Sequence, residues 1–245
     1  MSPVAILRYR GILPTWPASR SGSMSYTTVV IFGGDTDPGY RLTRKAIAAG
    51  FKVCSVLRGP RELDYINRAG AESMLCDMTD RDAVSRALAG HNAAELAVVC
   101  ILGGTPRMNT QGNINVIDAA VAAGVQRFVL TTSIGCGDSA AVMDPFLKAV
   151  AGRSIRAKEW AENHLRATSL DWTIVRAGGT TCRPGTGTAI LTESTMVTGY
   201  ISLTDLGDML FLALVSPRTS HRALAAVDSG RALNIDGTPV VPAEL

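Results

Sequence analysis

The sequence predicts an α/β fold, a doubly wound parallel sheet of about seven strands in a single domain. Three observations carry this. Short Val/Ile/Leu/Ala runs alternate with helical patterns from residue 27 onward, as in a sheet covered on both faces. The first run ends in a glycine-rich turn that opens a helix, Val29 to Gly39. Most connections are short, and the two long ones, 133–154 and 178–203, follow strands, where such sheets bind ligands.

Strands are expected near 27–32, 52–57, 72–76, 96–101, 126–131, 171–176 and 223–227, and helices near 38–49, 60–69, 80–89, 109–123, 155–167 and 204–215. Asp37 followed by Pro38 supplies an N-cap and a proline at the first helical position, and Gly50 stops that helix before Phe51. Asp80 is placed to cap the third helix, and Gly124 ends the fourth. The folded domain is expected over 25–245, with 133–154 and 178–203 as substrate loops. Met143, Phe146, Arg183, Met196 and Tyr200 are their candidate pocket residues.

The chain has 245 residues, 47% of them hydrophobic, enough for one sizeable core. Its net charge of +3 comes from Arg8, Arg10 and Arg20, so the remainder is neutral. A neutral body argues against nucleic acid as a partner. Residues 1–24 carry prolines and a Ser/Gly run, with no apolar stretch suited to a signal peptide or a membrane span. They read as a disordered extension, with Met24 a candidate natural start. A targeting leader fits less well, because the segment is basic but lacks an amphipathic helical period. The five cysteines show no C-x-x-C spacing, and Cys54, Cys76 and Cys100 fall in expected strands. They read as core thiols of a reducing compartment, and the cytoplasm is the expected location. The three histidines do not cluster, which argues against a zinc site.

The segment Gly33-Gly34-Asp35-Thr36-Asp37-Pro38-Gly39 has the shape of a dinucleotide phosphate cradle, a turn exposing backbone N–H groups at the positive end of a helix. The middle glycine of Gly-x-x-Gly-x-x-Gly is Thr36, and Asp35 and Asp37 stand where a pyrophosphate brings negative charge. The second strand ends at Arg58, with Arg61 behind it. An acid there would favour NAD, whereas an arginine pairs with the 2′-phosphate of NADP. Asp77 and Met78 follow the third strand. Gly103 and Gly104 follow the fourth and would let the backbone pass close to a ribose or pyrophosphate. The fifth strand ends Thr131-Thr132-Ser133, where a serine hydroxyl can meet a substrate carbonyl, although a turn role is the plainer reading. Lys158 and Glu162 lie four apart on one helix face, a spacing that reads first as a surface ion pair.

The order of these strand ends resembles the atypical short-chain dehydrogenases. So do the segment Asn113 to Arg127, the Thr-Ser-Ile-Gly run, the Lys158-x-x-x-Glu162-x-x-Leu165 helix and the Trp-Thr-Ile-Val-Arg-x-Gly strand. Within that family the NmrA-like and biliverdin-IXβ (flavin) reductase-like NAD(P)H-binding proteins are the nearest branch, and the similarity spans roughly 27–230. It implies a Rossmann domain, NADP (NADPH) as cofactor, a small-molecule substrate and a monomer or homodimer. The cofactor-binding positions are then Gly33, Asp35, Thr36, Asp37, Pro38, Gly39, Arg58, Arg61, Asp77, Met78, Gly103, Thr132, Lys158, Ala177 and Gly178. Lys158 matches the lysine that holds the nicotinamide ribose.

The family's Tyr-x-x-x-Lys places its tyrosine at Ser154, which leaves Ser133, Ser154 and Lys158 as candidate catalytic groups. The implied activity is NADPH-dependent hydride transfer to a small conjugated acceptor: a flavin, quinone, enone or tetrapyrrole. The altered turn also admits a non-catalytic NADP-binding regulator, or a cofactor-independent isomerase, cyclase or lyase.

Overall fold

The computed structural model describes residues 25–245, so the expected N-terminal extension, 1–24, lies outside the described residues. The first half alternates strictly: β1 (Thr28–Phe32), α1 (Asp37–Ala48), β2 (Lys52–Leu57), α2 (Leu63–Arg68), β3 (Glu72–Leu75), α3 (Arg81–Leu88), β4 (Leu96–Cys100) and α4 (Asn113–Ala123). Then come β5 (Arg127–Ser133), α5 (Pro145–Arg166) and β6 (Trp172–Ala177). The short strands β7 (Gly179–Thr181), β8 (Ala189–Thr192), β9 (Val197–Thr198) and β10 (Tyr200–Ser202) follow. The chain closes with α6 (Leu203–Val215), β11 (Arg222–Asp228) and β12 (Leu233–Asn234).

Eight strands form the main sheet in the order β3-β2-β1-β4-β5-β6-β11-β8. All neighbours pair parallel except β8, which runs antiparallel to β11 at the edge. The seven expected strands are β1–β6 and β11, and β8 is the addition. Side chains alternate across the sheet as the strand period requires. Val29 and Ile31 pack with Leu42 of α1 and Leu210 and Leu214 of α6 on one face. Val30 and Phe32 pack with Val84, Val116, Ile117, Ala161 and Leu165 of α3–α5 on the other. Helices on both faces satisfy a sheet whose β1 and β4 are buried almost throughout.

Several boundaries differ from the sequence expectation. The 133–154 stretch is mostly ordered into helix: a 3-10 segment, Gly137–Val142, leads to α5, which starts at Pro145 rather than 155. Asp144 caps α5, its carboxylate accepting from Leu147 N at 2.8 Å. The 178–203 stretch holds four short strands, with β7 pairing to β10 and β9 to β12. Cys76 lies just past β3, buried, with its thiol pushed up to about 11 by desolvation first and then by Asp77 and Asp80. All five cysteines are free thiols. Gly124 takes a left-handed conformation at the end of α4, and Asp80 caps α3 through Asp82 N and Ala83 N, both as expected. Among the described residues no helix is long and apolar enough to cross a membrane.

Candidate dinucleotide site

The strand order reverses its direction of progress between β1 and β4, so the loops after these two strands diverge and open a crevice. A cleft of about 510 Å³ lies there, at the carboxyl edge of the sheet. Its walls come from the ends of five strands, the short strand β7 and helices α1, α5 and α6. Asp35–Pro38 follow β1, Arg58 follows β2, Ile101–Gly104 follow β4, Thr131 and Thr132 end β5, and Ala177 ends β6. Lys158 enters from α5, Leu203 and Leu206 from α6, and Thr180 from β7. The volume suits an organic ligand of nucleotide size.

The glycines of the turn have steric reasons to be there. Gly33 has φ +90°, and a Cβ on it would sit 2.6 Å from Ile101 O. A Cβ on Gly39 would stand 2.2 Å from Gly33 O, so only glycine lets α1 start this close to β1. The N-cap is Thr36, not Asp37. Its Oγ1 accepts from Gly39 N at 3.1 Å and donates to Gly33 O at 2.7 Å. The residue that replaces the middle glycine therefore turns its hydroxyl into the turn and caps the helix itself. Asp37 is exposed in the first turn of α1, favourably placed in the helix dipole. The Gly33 and Gly34 amides donate to Val56 O of β2 and those of Thr36 and Gly39 bond within the turn, and among the described residues the network makes no use of the Asp35 and Asp37 amides.

Asp35 points toward β2. Its Oδ2 accepts from Arg58 Nε at 2.9 Å, its side chain is 8% exposed, and its Oδ1 is buried without a partner among the described residues. The carboxylate expected to repel a phosphate is thus already matched by a cation. Arg58 is half-exposed, and among the described residues its hydrogen bond to Asp35 is made by Nε, not by the terminal nitrogens.

At the other end of the cleft a buried charge network fixes β5, β6 and α5. Arg176 gives Nε and Nη2 to the two oxygens of Glu162, at 3.1 and 2.7 Å, and Nη1 to Asp138. Thr132 Oγ1 donates to Glu162 Oε1 at 2.6 Å. Glu162 is therefore no surface partner of Lys158, because its carboxylate is 1% exposed and fully engaged. Lys158 instead lines the cleft with no ion pair among the described residues. Desolvation lowers its pKa, opposed by the charges of Cys136 and Glu162. Thr131 Oγ1, also on the cleft wall, is buried and unpartnered among the described residues.

The cleft brings together Asp35, Thr36, Asp37, Pro38, Arg58, Gly103, Thr132, Lys158 and Ala177, with Gly33 and Gly39 shaping the turn beneath. Other expected positions lie off its wall. The Arg61 side chain is 92% exposed and faces Glu62. Asp77 is exposed and binds Thr79, while the Met78 side chain is core. Gly178 packs against Gly199, where a Cβ would stand 2.7 Å from a carbonyl oxygen. Ser154 is tied to Asn109 Nδ2 at 2.8 Å, and neither it nor Ser133 reaches the cleft wall. Of the loop residues, Arg183 and Tyr200 line a separate, much smaller pocket and Phe146 is exposed. The sequence reading missed Ile101, Leu102, Thr131, Thr180, Leu203 and Leu206. Only Thr131, a hydroxyl at a strand end, left a readable signal.

These residues fit a dinucleotide. The turn has no room for a Cβ at Gly33 or Gly39, it leaves two amides outside its own network, and Asp35 Oδ1 is a buried acceptor awaiting a donor.

Comparison with known proteins agrees. The structure of ChuY, an anaerobillin reductase from Escherichia coli O157:H7, superposes with a TM-score of 0.76 at 26% identity, covering 82% of this chain and 97% of that one. An uncharacterized chloroplastic protein of Arabidopsis thaliana is 25% identical over 215 residues, 81% of this chain and 76% of its own length. Protein TIC 62 of Pisum sativum, also chloroplastic, is 26% identical over 92% of this chain, which spans about half of that longer relative, 46%. The profile of one family matches residues 33–217, from the first glycine of the turn to the end of α6 and just beyond. The chain belongs to the NAD(P)H-binding family.

Proposed function

We propose that this protein is an NADPH-dependent oxidoreductase acting on a small conjugated acceptor such as a flavin, quinone, enone or tetrapyrrole. The observation that carries the reading is the convergence on one cleft of the glycine turn, Arg58 and an unpaired, desolvated Lys158. The likeness to an anaerobillin reductase supports it.

The bound cofactor would supply hydride, and the chain supplies orientation and electrostatics. The turn and the α1 N-terminus would hold the pyrophosphate, and the outer nitrogens of Arg58 the 2′-phosphate. The Thr131 hydroxyl would orient the ligand at the other end. Thr132 donates its proton to Glu162 and so is not free to protonate an acceptor. Lys158 Nζ, an ammonium on the wall, would be the proton donor. Burial makes its ammonium a stronger acid than in water, suited to a site without the tyrosine. Ile101, Leu102, Leu203 and Leu206 give a flat apolar acceptor a dry surface.

Free cysteines, four of them buried, support a reducing compartment. The cytoplasm is our reading, and the chloroplastic relatives make a plastid the alternative. Localising a tagged full-length chain decides between them.

The test is a titration with NADPH and NADH followed by calorimetry. NADPH should bind more tightly, and Arg58→Ala should erase the difference. Acceptors are then screened for oxidation of NADPH. Absence of binding by either dinucleotide at millimolar concentration would defeat the proposal.

A further inference from the structure

The corner where β1 and β2 end holds two signals that normally exclude each other. Arg58 occupies the position of a 2′-phosphate ligand, and a carboxylate stands beside it, where an acid would bond the ribose hydroxyls of the cofactor that lacks that phosphate. The acid comes from the glycine turn rather than from the end of β2, so the sequence position conceals it. Its side chain is more than nine-tenths buried, one oxygen is held by Arg58 Nε at 2.9 Å, and the other has no partner among the described residues although both residues line the cleft.

We propose that Asp35 is a specificity-determining residue that narrows the preference for NADPH over NADH. Oδ1 is the acceptor for an adenosine ribose hydroxyl, and Oδ2 ties up Nε of Arg58. The inference rests on the reading of the cleft as a dinucleotide site. Three features support it. A buried carboxylate oxygen without a donor is costly, so a hydroxyl arriving there meets an acceptor that has no hydrogen bond to give up. The Arg58 guanidinium has five N–H donors, and the contact at Nε leaves those on its terminal nitrogens for a phosphate. The negative charge of Asp35 disfavours the 2′-phosphate, whereas a 2′-hydroxyl gains the bond to Oδ1. Both cofactors are therefore accepted, with NADPH ahead by about tenfold or less, the order of a single ordinary hydrogen bond.

Asp35→Asn keeps the shape and removes the charge, and Asp35→Ser removes the reach as well. Each is compared with the native chain for binding of NADPH and NADH, and of the fragments adenosine 2′,5′-bisphosphate and 5′-AMP, with a thermal melt of every variant. The expected result is a shift of the affinity ratio toward the 2′-phosphorylated ligand by about tenfold, equal for cofactors and fragments because the change lies at the adenosine end. An unchanged or reversed ratio in both variants overturns the proposal while leaving the dinucleotide site intact. Variants that melt below the assay temperature would give Asp35 a structural role instead and also overturn it. If the native chain binds none of the four ligands, the dinucleotide reading fails and this proposal with it.

Discussion

Two arginines sit on neighbouring strands, equally buried at 3% and 4% side-chain exposure, and are satisfied in opposite ways. Arg127 starts β5 at the amino edge of the sheet. It bonds Asp171 O and Oδ1, Thr173 Oγ1, Ala213 O and Thr219 Oγ1, which ties β5 to β6, the end of α6 and the turn beyond it. Its partners are mostly neutral dipoles and its one carboxylate is 41% exposed. Desolvation therefore prevails and lowers its pKa against the pull of Asp171. Arg176 stands near the carboxyl end of β6. Desolvation acts on it too, yet the hydrogen bonds and charge of Glu162, then of Asp138, hold its pKa above the ordinary value. At one edge a cation is absorbed by the fold; at the other a cation and an anion are buried as a matched set beside the cleft. Where function needs side chains fixed at a strand end, charge is balanced locally. Where only the frame is at stake, carbonyls, hydroxyls and one partly exposed carboxylate suffice.

The largest effect should come from breaking the matched set. Arg176→Met leaves Glu162 buried without its counter-charge, at a cost of about 3–5 kcal/mol. Adding Glu162→Met should restore most of that, as two-state urea unfolding would read. A single-mutant cost below 1 kcal/mol would mean that Glu162 is reached by water. Arg127→Met should cost less, about 1–3 kcal/mol, because Thr219 Oγ1 keeps other partners when the guanidinium goes. It should also leave dinucleotide affinity unchanged, whereas the Glu162 variant releases Thr132, the Arg176 variant frees the Glu162 carboxylate that holds it, and both loosen the cleft wall. Equal loss of cofactor binding in both would erase the distinction between the two edges.

Much of this frame is legible in the sequence, and what is missed follows a rule. Strands β1 and β4 are contiguous apolar runs and β2, β5 and β6 largely so, and the order of the strands alone places Gly33, Arg58, Gly103 and Thr132 on one edge. The start of α5 escapes because Gly152 interrupts the pattern. Asp144-Pro145 is nonetheless the same acid-proline signal that marks the start of α1. The cap of α1 goes to Thr36 because a hydroxyl can both donate and accept across a tight turn, and a carboxylate only accepts. The mistaken surface pair of Lys158 and Glu162 is a local reading of a tertiary contact. Helical spacing makes them neighbours, while Arg176, an arginine flanked by apolar residues in a strand, claims the carboxylate. A charge inside such a run is itself the signal that a buried partner exists elsewhere, but sequence does not say which. The same limit hides the Asp35–Arg58 pair, whose members are 23 residues apart.

The smallest expected effect is also the one that isolates function from fold. Lys158 shares a helix with Glu162 but not its carboxylate, and burial depresses its pKa, opposed by Cys136 and Glu162. Below the depressed folded value it is charged in both states, and the native state bears the desolvation cost in full. Between that value and 10.5 the unfolded chain binds more protons than the native one, so stability rises with pH through this window. Lys158→Met removes the penalty. It should melt higher than the native chain at neutral pH, by about 2–4 °C for a gain of 1 kcal/mol, with the advantage shrinking as pH approaches 10.5. Turnover with any acceptor found should fall by about 100-fold or more, and dinucleotide affinity should fall far less. A variant that loses stability along with activity would make Lys158 another Arg127, a cation absorbed by the frame. One that gains stability as it loses activity shows the carboxyl edge holding a strained charge for chemistry.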